Sequence, residues 1–107
     1  MRKYEIKQTE EAVNDAANIR NYLSYTLKNS LAAIRFLQNF DKSTDVLAFF
    51  PYSYKGIGYF YRDIEIRMKN YDSYNIFYAI DENEKQILIL RVLNERQDWN
   101  WIFGKHR

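Results

Sequence analysis

The side chains best suited to chemistry gather in the later part of the chain, where Arg67, Lys69, Arg91, Arg96 and Asp98 accompany Asn94 and Trp99. Arg67 and Lys69 have alternate positions, so on a strand they share one face and present two cations side by side. The run from Gln86 is apolar through Leu93 and then becomes Asn94, Glu95, Arg96, Gln97 and Asp98. A rigid apolar element that ends this abruptly hands over to an exposed rim, where small domains keep their binding groups. Guanidinium and ammonium groups placed there can grip an anionic partner, and a tryptophan beside arginines is a common interface anchor. Each residue also has a structural reading. Arg91 emerges from an apolar strand and suits an ion pair that locks the core. Arg96 with Asp98 suits a surface salt bridge worth at most about 1 kcal/mol. Arg67 and Lys69 suit a solvated strand face, and Trp99 and Trp101 suit a seal on the sheet edge.

Periodicity predicts the elements that hold these groups. Arg2 to Gln8 alternates, Tyr4 and Ile6 against Lys3, Glu5 and Lys7, as a half-buried strand does. Thr9 before Glu10 and Glu11 is a capping oxygen followed by acids that favour the positive end of a helix. Ala12, Ala16, Ile19, Leu23 and Leu27 carry that helix to about Lys28. Asn29-Ser30 offers a break and a second cap, after which Ala33, Leu37, Phe40, Thr44 and Leu47, widened by Ile34 and Phe36, mark a second helix. It stops near Phe50 because Pro51 pushes its predecessor out of the helical region. So short a link makes the two helices an antiparallel hairpin.

Tyr52 to Asp63, with Gly56 and Gly58, reads as an irregular connector. Strands at Ile64–Lys69, Tyr74–Ile80 and Gln86–Leu93, joined by short polar loops, form an antiparallel meander. The last is apolar on both faces, Ile87 and Ile89 on one and Leu88, Leu90 and Val92 on the other, which places it inside the sheet. A short segment around Asp98 to Phe103 closes the chain. The expected fold is α+β: an N-terminal strand, an antiparallel helical hairpin, then a three-stranded antiparallel meander with the helices packed on one sheet face.

The 107 residues, 47% apolar, suit one domain spanning 1–107. A net charge of +2 decides nothing about nucleic acid. The absence of cysteine excludes a disulfide scaffold, a thiolate zinc site and a thiol nucleophile, and no metal or cofactor is expected. No apolar run approaches the roughly 20 residues that span a bilayer, and Met1-Arg2-Lys3 leads into no signal-peptide core, so a cytoplasmic protein without a membrane partner is expected. Ten Tyr, seven Phe and two Trp chiefly fill the core of a small domain, leaving a minority for surface recognition.

The element order, the strand Y-x-I-F-Y-x-I-D from Tyr74 to Asp81 and the ending I-L-R-V-L-x-x-R-x-D from Ile89 to Asp98 together resemble the RelE/ParE superfamily of type II toxin–antitoxin toxins. The likeness covers almost the whole chain. It implies a growth-inhibiting cytoplasmic protein held inactive by a cognate antitoxin, whose flexible tail covers an apolar groove and neutralises the basic strand face. RelE-like members cut messenger RNA in the ribosomal A site, whereas ParE-like members poison DNA gyrase and need no nuclease residues. Cleavage requires a group that activates the 2′-hydroxyl, cations on the pentacovalent phosphate and an acid for the leaving oxygen. The resemblance nominates Arg67, Lys69, Arg91 and Arg96 as the phosphate clamps of such a nuclease. Two departures count against it. RelE-like toxins carry an arginine after the tyrosine that opens the middle meander strand, where this chain has Asn75, and a neutral amide does not replace a guanidinium at a phosphate. Many members have histidine where this chain has Asn94, which shuttles no proton at neutral pH. The only histidine, His106, lies in the terminal tail. The balance leans toward a ParE-like gyrase poison that acts by binding, the alternatives being a ribosome-dependent endoribonuclease and a member that only binds antitoxin. Arg67, Lys69, Arg91, Asn94, Arg96, Asp98 and Trp99 are then the residues expected to meet target or antitoxin, and the closing strand is expected to deliver its guanidinium groups to an open groove beside the helical hairpin.

Overall fold

The computed structural model describes residues 3–104; Arg2 of the expected first strand and His106 lie outside them. In chain order the elements are β1 (Glu5–Gln8), α1 (Glu10–Asn21), α2 (Ser30–Leu47), β2 (Gly56–Tyr61), β3 (Ile64–Tyr71), β4 (Tyr74–Asp81), β5 (Gln86–Asn94) and α3 (Trp99–Gly104). The strands form one sheet in the order β1-β5-β4-β3-β2.

Both helices begin where their caps predict. The Thr9 hydroxyl accepts from the Ala12 amide at 3.1 Å, and the Asn29 side chain accepts from the Ala32 amide at 3.0 Å. Each bond satisfies an amide that has no partner within its helix. After Asn21 the first helix widens into a π-helical stretch, Tyr22–Thr26, and Lys28 then takes the left-handed φ of 51° that usually falls to glycine at a helix end. The second helix ends at Leu47, and Pro51 opens a single 3-10 turn.

The hairpin covers one face of the sheet. Ala12 and Ala16 of α1 and Phe36, Phe40 and Leu47 of α2 pack on Ile76, Tyr78, Ile80, Ile87, Ile89 and Val92. The alanines on α1 let that helix lie close over β5. The opposite face, Ile66, Phe77, Ala79, Leu90 and Leu93, packs against Trp99, Ile102 and Phe103 of α3. The Phe77 ring lies 4.9 Å from Phe103 and 6.1 Å from Trp99. With both faces covered, β4 is buried from Asn75 through Ile80.

Two expectations are corrected. The segment Tyr52 to Asp63 is not an irregular connector, because it contains β2, and the meander therefore has four strands. Its glycines suggested a loop, yet they serve an irregular edge strand. Gly58 adopts φ +81° within a register shift, and at Gly56 the absent side chain leaves the space that the Glu65 carboxylate fills. The second correction concerns β5. Phe77 pairs with Arg91 and Tyr78 with Ile89, so Leu90 is an extra residue in a bulge. The alternation inverts there, and Val92 joins Ile87 and Ile89 on the hairpin side instead of Leu88 and Leu90. β1 pairs parallel to β5, from Glu5 with Gln86 to Gln8 with Ile89, which places β5 inside the sheet as its two apolar faces predict and adds a parallel pair to the meander.

Tyr78 links the sheet to the end of the hairpin. Its ring is fully buried and its hydroxyl donates to the Pro51 carbonyl at 2.6 Å. Tyr78→Phe orphans that carbonyl and is expected to cost about 1–2 kcal/mol. A urea titration should show a lower midpoint with an unchanged slope.

Candidate functional site

Arg67 and Lys69 sit in β3 opposite Tyr78 and Ile76, so their side chains point at the hairpin layer. Arg67 Nη1 donates to the Tyr54 carbonyl at 2.6 Å, and its guanidinium lies 4.8 Å from the Tyr52 ring centre. Lys69 is only 7% exposed. Its Nζ donates to the Ser43 carbonyl of α2 at 2.7 Å and lies 5.3 Å from the Tyr54 ring. No carboxylate pairs with it among the described residues. Burial therefore pushes its pKa below the usual lysine value. The expected solvated strand face is instead an internal seam between β3 and the end of the hairpin.

Arg91 has a different setting with a similar outcome. β1 ends opposite Ile89, so the remainder of β5 has no strand beside it on that side. The start of α1 takes that place. Thr9 Oγ1 donates to the carbonyls of Ile89 and Leu90 at 3.2 and 3.0 Å. Six residues further on, the Asp15 carboxylate accepts from Arg91 Nε at 2.7 Å, Arg91 Nη2 at 3.0 Å and the Val92 amide at 3.0 Å. This fork fastens α1 to β5, as expected of an ion pair that locks the core. Asp15 is the partner that sequence reasoning missed. Its signal was available, since a carboxylate three residues after Ala12 and one before Ala16 sits on the border of the buried stripe.

The rim after β5 is a turn held together by amides. Asn94 Oδ1 accepts from the Arg96 amide at 2.9 Å, and the Asn94 amide donates to Gln97 Oε1 at 3.0 Å. Arg96 is exposed on this turn. Asp98 makes no ion pair with it among the described residues. Asp98 Oδ1 instead accepts from the Trp101 amide at 3.3 Å, at the opening of α3. Trp99 lies on the sheet face against Phe77 and Tyr59, not at the sheet edge. A cavity of about 340 Å³ beside Asn94 is lined by Asn18, Ile19, Tyr22, Tyr74 and Gln97. Its polar groups are amides and phenols, able to bind by hydrogen bonds and without the charge that phosphate transfer needs. Asn75 is buried, and its side-chain oxygen accepts from Asn70 Nδ2 at 3.0 Å.

A further cluster was not legible beforehand. The Glu82 carboxylate on the β4–β5 turn accepts from Lys85 Nζ at 2.7 Å, from the Tyr52 hydroxyl, and from the Tyr4 hydroxyl at 2.8 Å. These bonds, Lys85 foremost, hold its pKa down to about 2. They tie the segment before β1, the Pro51 turn and the β4–β5 turn into one corner next to Arg67.

The seven nominated residues are therefore not brought together in one open groove. Arg67 and Lys69 lie at the hairpin seam, Arg91 under α1, and Asn94, Arg96 and Asp98 on the turn leading to α3. Apart from Asn75, the buried part of the sheet face beneath α3 is apolar. Among the described residues no group of three or more His, Cys, Asp or Glu could hold a metal ion, and no helix is long and apolar enough to cross a membrane.

Three solved structures share this architecture at low sequence identity. The ParDE toxin–antitoxin system of P. aeruginosa superposes with a TM-score of 0.65 at 16% identity, over 86% of this chain and 96% of that one. The RelBE2 toxin–antitoxin complex of Mycobacterium tuberculosis gives 0.59 at 17% identity, over 86% and 98%. The archaeal RelE–RelB complex of Pyrococcus horikoshii gives 0.55 at 17%, over 90% and 99%. No curated protein matches the sequence. The model of the family described as ParE toxin of the type II toxin–antitoxin system, parDE, matches residues 6–99, and the chain belongs to that family.

Proposed function

We propose that this toxin arrests growth by binding DNA gyrase in the cytoplasm and cuts no RNA, and that a cognate antitoxin keeps it inactive. One observation carries the reading: Arg67, Lys69 and Arg91, three of the four cations a nuclease would use, are engaged inside the chain by Tyr54, Ser43 and Asp15. A phosphate clamp gains rate only from charges aimed at the transition state. Releasing Lys69 and Arg91 would first break bonds that hold the hairpin to the sheet, and releasing Arg67 one that holds the segment after it. Asn75 and Asn94 add neutral amides where charge or proton transfer would be wanted. Antitoxin binding is supported by the structural relatives, which are themselves toxin–antitoxin complexes.

The purified chain should be added in parallel to a gyrase supercoiling reaction and to a translating extract. Loss of supercoiling with intact messages is expected. Cleaved messages with normal supercoiling would overturn the reading in favour of a ribosome-dependent endoribonuclease. Inertness in both assays would overturn it in favour of a member that only binds its antitoxin.

A further inference from the structure

The cavity beside Asn94 is walled by Asn18, Ile19, Tyr22, Tyr74, Asn94 and Gln97, encloses about 340 Å³ and has no charged side chain in its lining. That volume is in the range of a small-ligand site. Two of its carboxamides have a fixed orientation. Asn94 Oδ1 accepts from the Arg96 amide and Gln97 Oε1 from the Asn94 amide, and only an oxygen can accept from a backbone N–H. The turn therefore uses both oxygens and leaves Asn94 Nδ2 and Gln97 Nε2 as donors without an acceptor among the described residues. The Asn18 side chain of α1 makes no hydrogen bond among the described residues, so its oxygen is an acceptor.

Two rings complete the walls. Tyr74 is braced by Phe36, edge-on at 5.0 Å, and by Tyr71 at 5.8 Å. Tyr22 opens the π-helical stretch and is 54% exposed. A π turn interrupting an α-helix is frequent at functional positions.

This chemistry selects the ligand. A phosphate or carboxylate would lose water here without gaining a counter-charge. Arg96 is exposed on the same turn but is not in the lining, and the Asp72 charge acts on Tyr74 from the neighbouring turn, against an anion. Two donors and an acceptor suit a flat, uncharged ring with two carbonyls flanking an N–H. Uracil and thymine have that edge, whereas cytosine carries an amino group in place of one carbonyl. Their faces stack on tyrosine.

We propose that this cavity binds a uracil or thymine nucleoside, with Asn94 Nδ2 and Gln97 Nε2 donating to the two carbonyls, Asn18 Oδ1 accepting from the ring N–H, and Tyr22 and Tyr74 covering the ring. With no cation in the lining, the base is recognised and phosphate is not, which assigns a free nucleoside and not a strand.

Uridine and cytidine are titrated calorimetrically into the purified chain, and uridine should bind at least tenfold tighter. Asn94→Asp and Gln97→Glu each keep the oxygen that the turn needs and replace the amino donor by an acceptor. Both should fold as the parent does and weaken uridine at least tenfold. Whichever carboxylate stands opposite the cytosine amino group should reverse the preference toward cytidine, because a carboxylate accepts from that group. Urea midpoints check folding. Should a turn variant unfold, Asn18→Leu removes the acceptor from an exposed position of α1 and should cost a similar factor. Equal affinity for the two nucleosides, no binding at millimolar uridine, or folded variants within twofold of the parent overturn the site. An oligouridylate bound more than tenfold tighter than uridine overturns the nucleoside assignment in favour of a single strand. The gyrase reading rests on Arg67, Lys69 and Arg91 and stands or falls separately.

Discussion

Asp15→Ala is expected to destabilise the protein by about 3 kcal/mol, the largest loss from any single polar change described above. The carboxylate is 13% exposed and its arginine partner 25% exposed, so neither group is well hydrated. Truncation leaves the Arg91 guanidinium half-sheltered without its counter-charge and the Val92 amide without its acceptor on the open side of β5. Both penalties arise in the folded state alone. Asp15→Asn keeps an acceptor for the Val92 amide and loses only the charge, so it should cost roughly half as much. The paired change Asp15→Leu with Arg91→Met removes both ions together and is expected to recover most of the loss, because replacing a sheltered pair by apolar groups is often neutral. Urea unfolding of the three variants measures all of this. Should Arg91→Ala abolish toxicity at unchanged stability, Arg91 is a working contact and its structural role is secondary.

Lys69→Met should have the opposite sign, raising stability by about 1–2 kcal/mol at neutral pH. The ammonium is buried with a carbonyl and an aromatic ring for company and no carboxylate, so its desolvation is only partly offset. Methionine has a similar length and keeps the packing against Tyr54. The pH dependence follows from the depressed pKa. At pH values below the folded-state pKa, lysine is protonated in both states and the full penalty applies. Between that pKa and the unfolded value of 10.5, the unfolded chain binds more protons, so raising the pH stabilises the parent protein. The advantage of the methionine variant should therefore shrink as pH climbs toward 10.5. A difference that stays constant from pH 7 to 10 would mean that Lys69 is not held in a desolvated state. Growth arrest by the Lys69→Met variant should match the parent, whereas a phosphate clamp would lose its activity with that side chain.

The elements that sequence revealed were those with strong local signals. Thr9, Asn29 and Pro51 set the helix limits through bonds or strain within a few residues, and the positions of α1 and α2 followed. The turns at Asp72 and Asp81 likewise separated β3, β4 and β5. What escaped depended on distant partners. β2 was disguised because Gly56 and Gly58 resemble loop residues until the Glu65 carboxylate is seen occupying the space beside Gly56. The bulge at Leu90 leaves no trace in composition, yet it turns Val92 to the other face. The candidate site was legible as a set of cations but not as their fate. Arg67 and Lys69 look alike on a strand diagram, and only the approach of the hairpin's end shows that both are spent on backbone carbonyls. Arg96 remained on the exposed turn, as its polar neighbours suggested.

The parallel pairing of β1 with β5 joins segments some eighty residues apart, with Thr9 bonded to Ile89 and Leu90. A ribosome making this chain releases β1 and both helices long before the strand they dock against exists. Until Gln86 and its successors emerge, the hairpin has no β5 to cover and Asp15 no arginine to hold. Chains cut short by premature termination before that point cannot assemble the sheet, and closure of so distant a contact slows folding after synthesis. The sheet is thus completed last, by the strand on which both the hairpin and α3 depend.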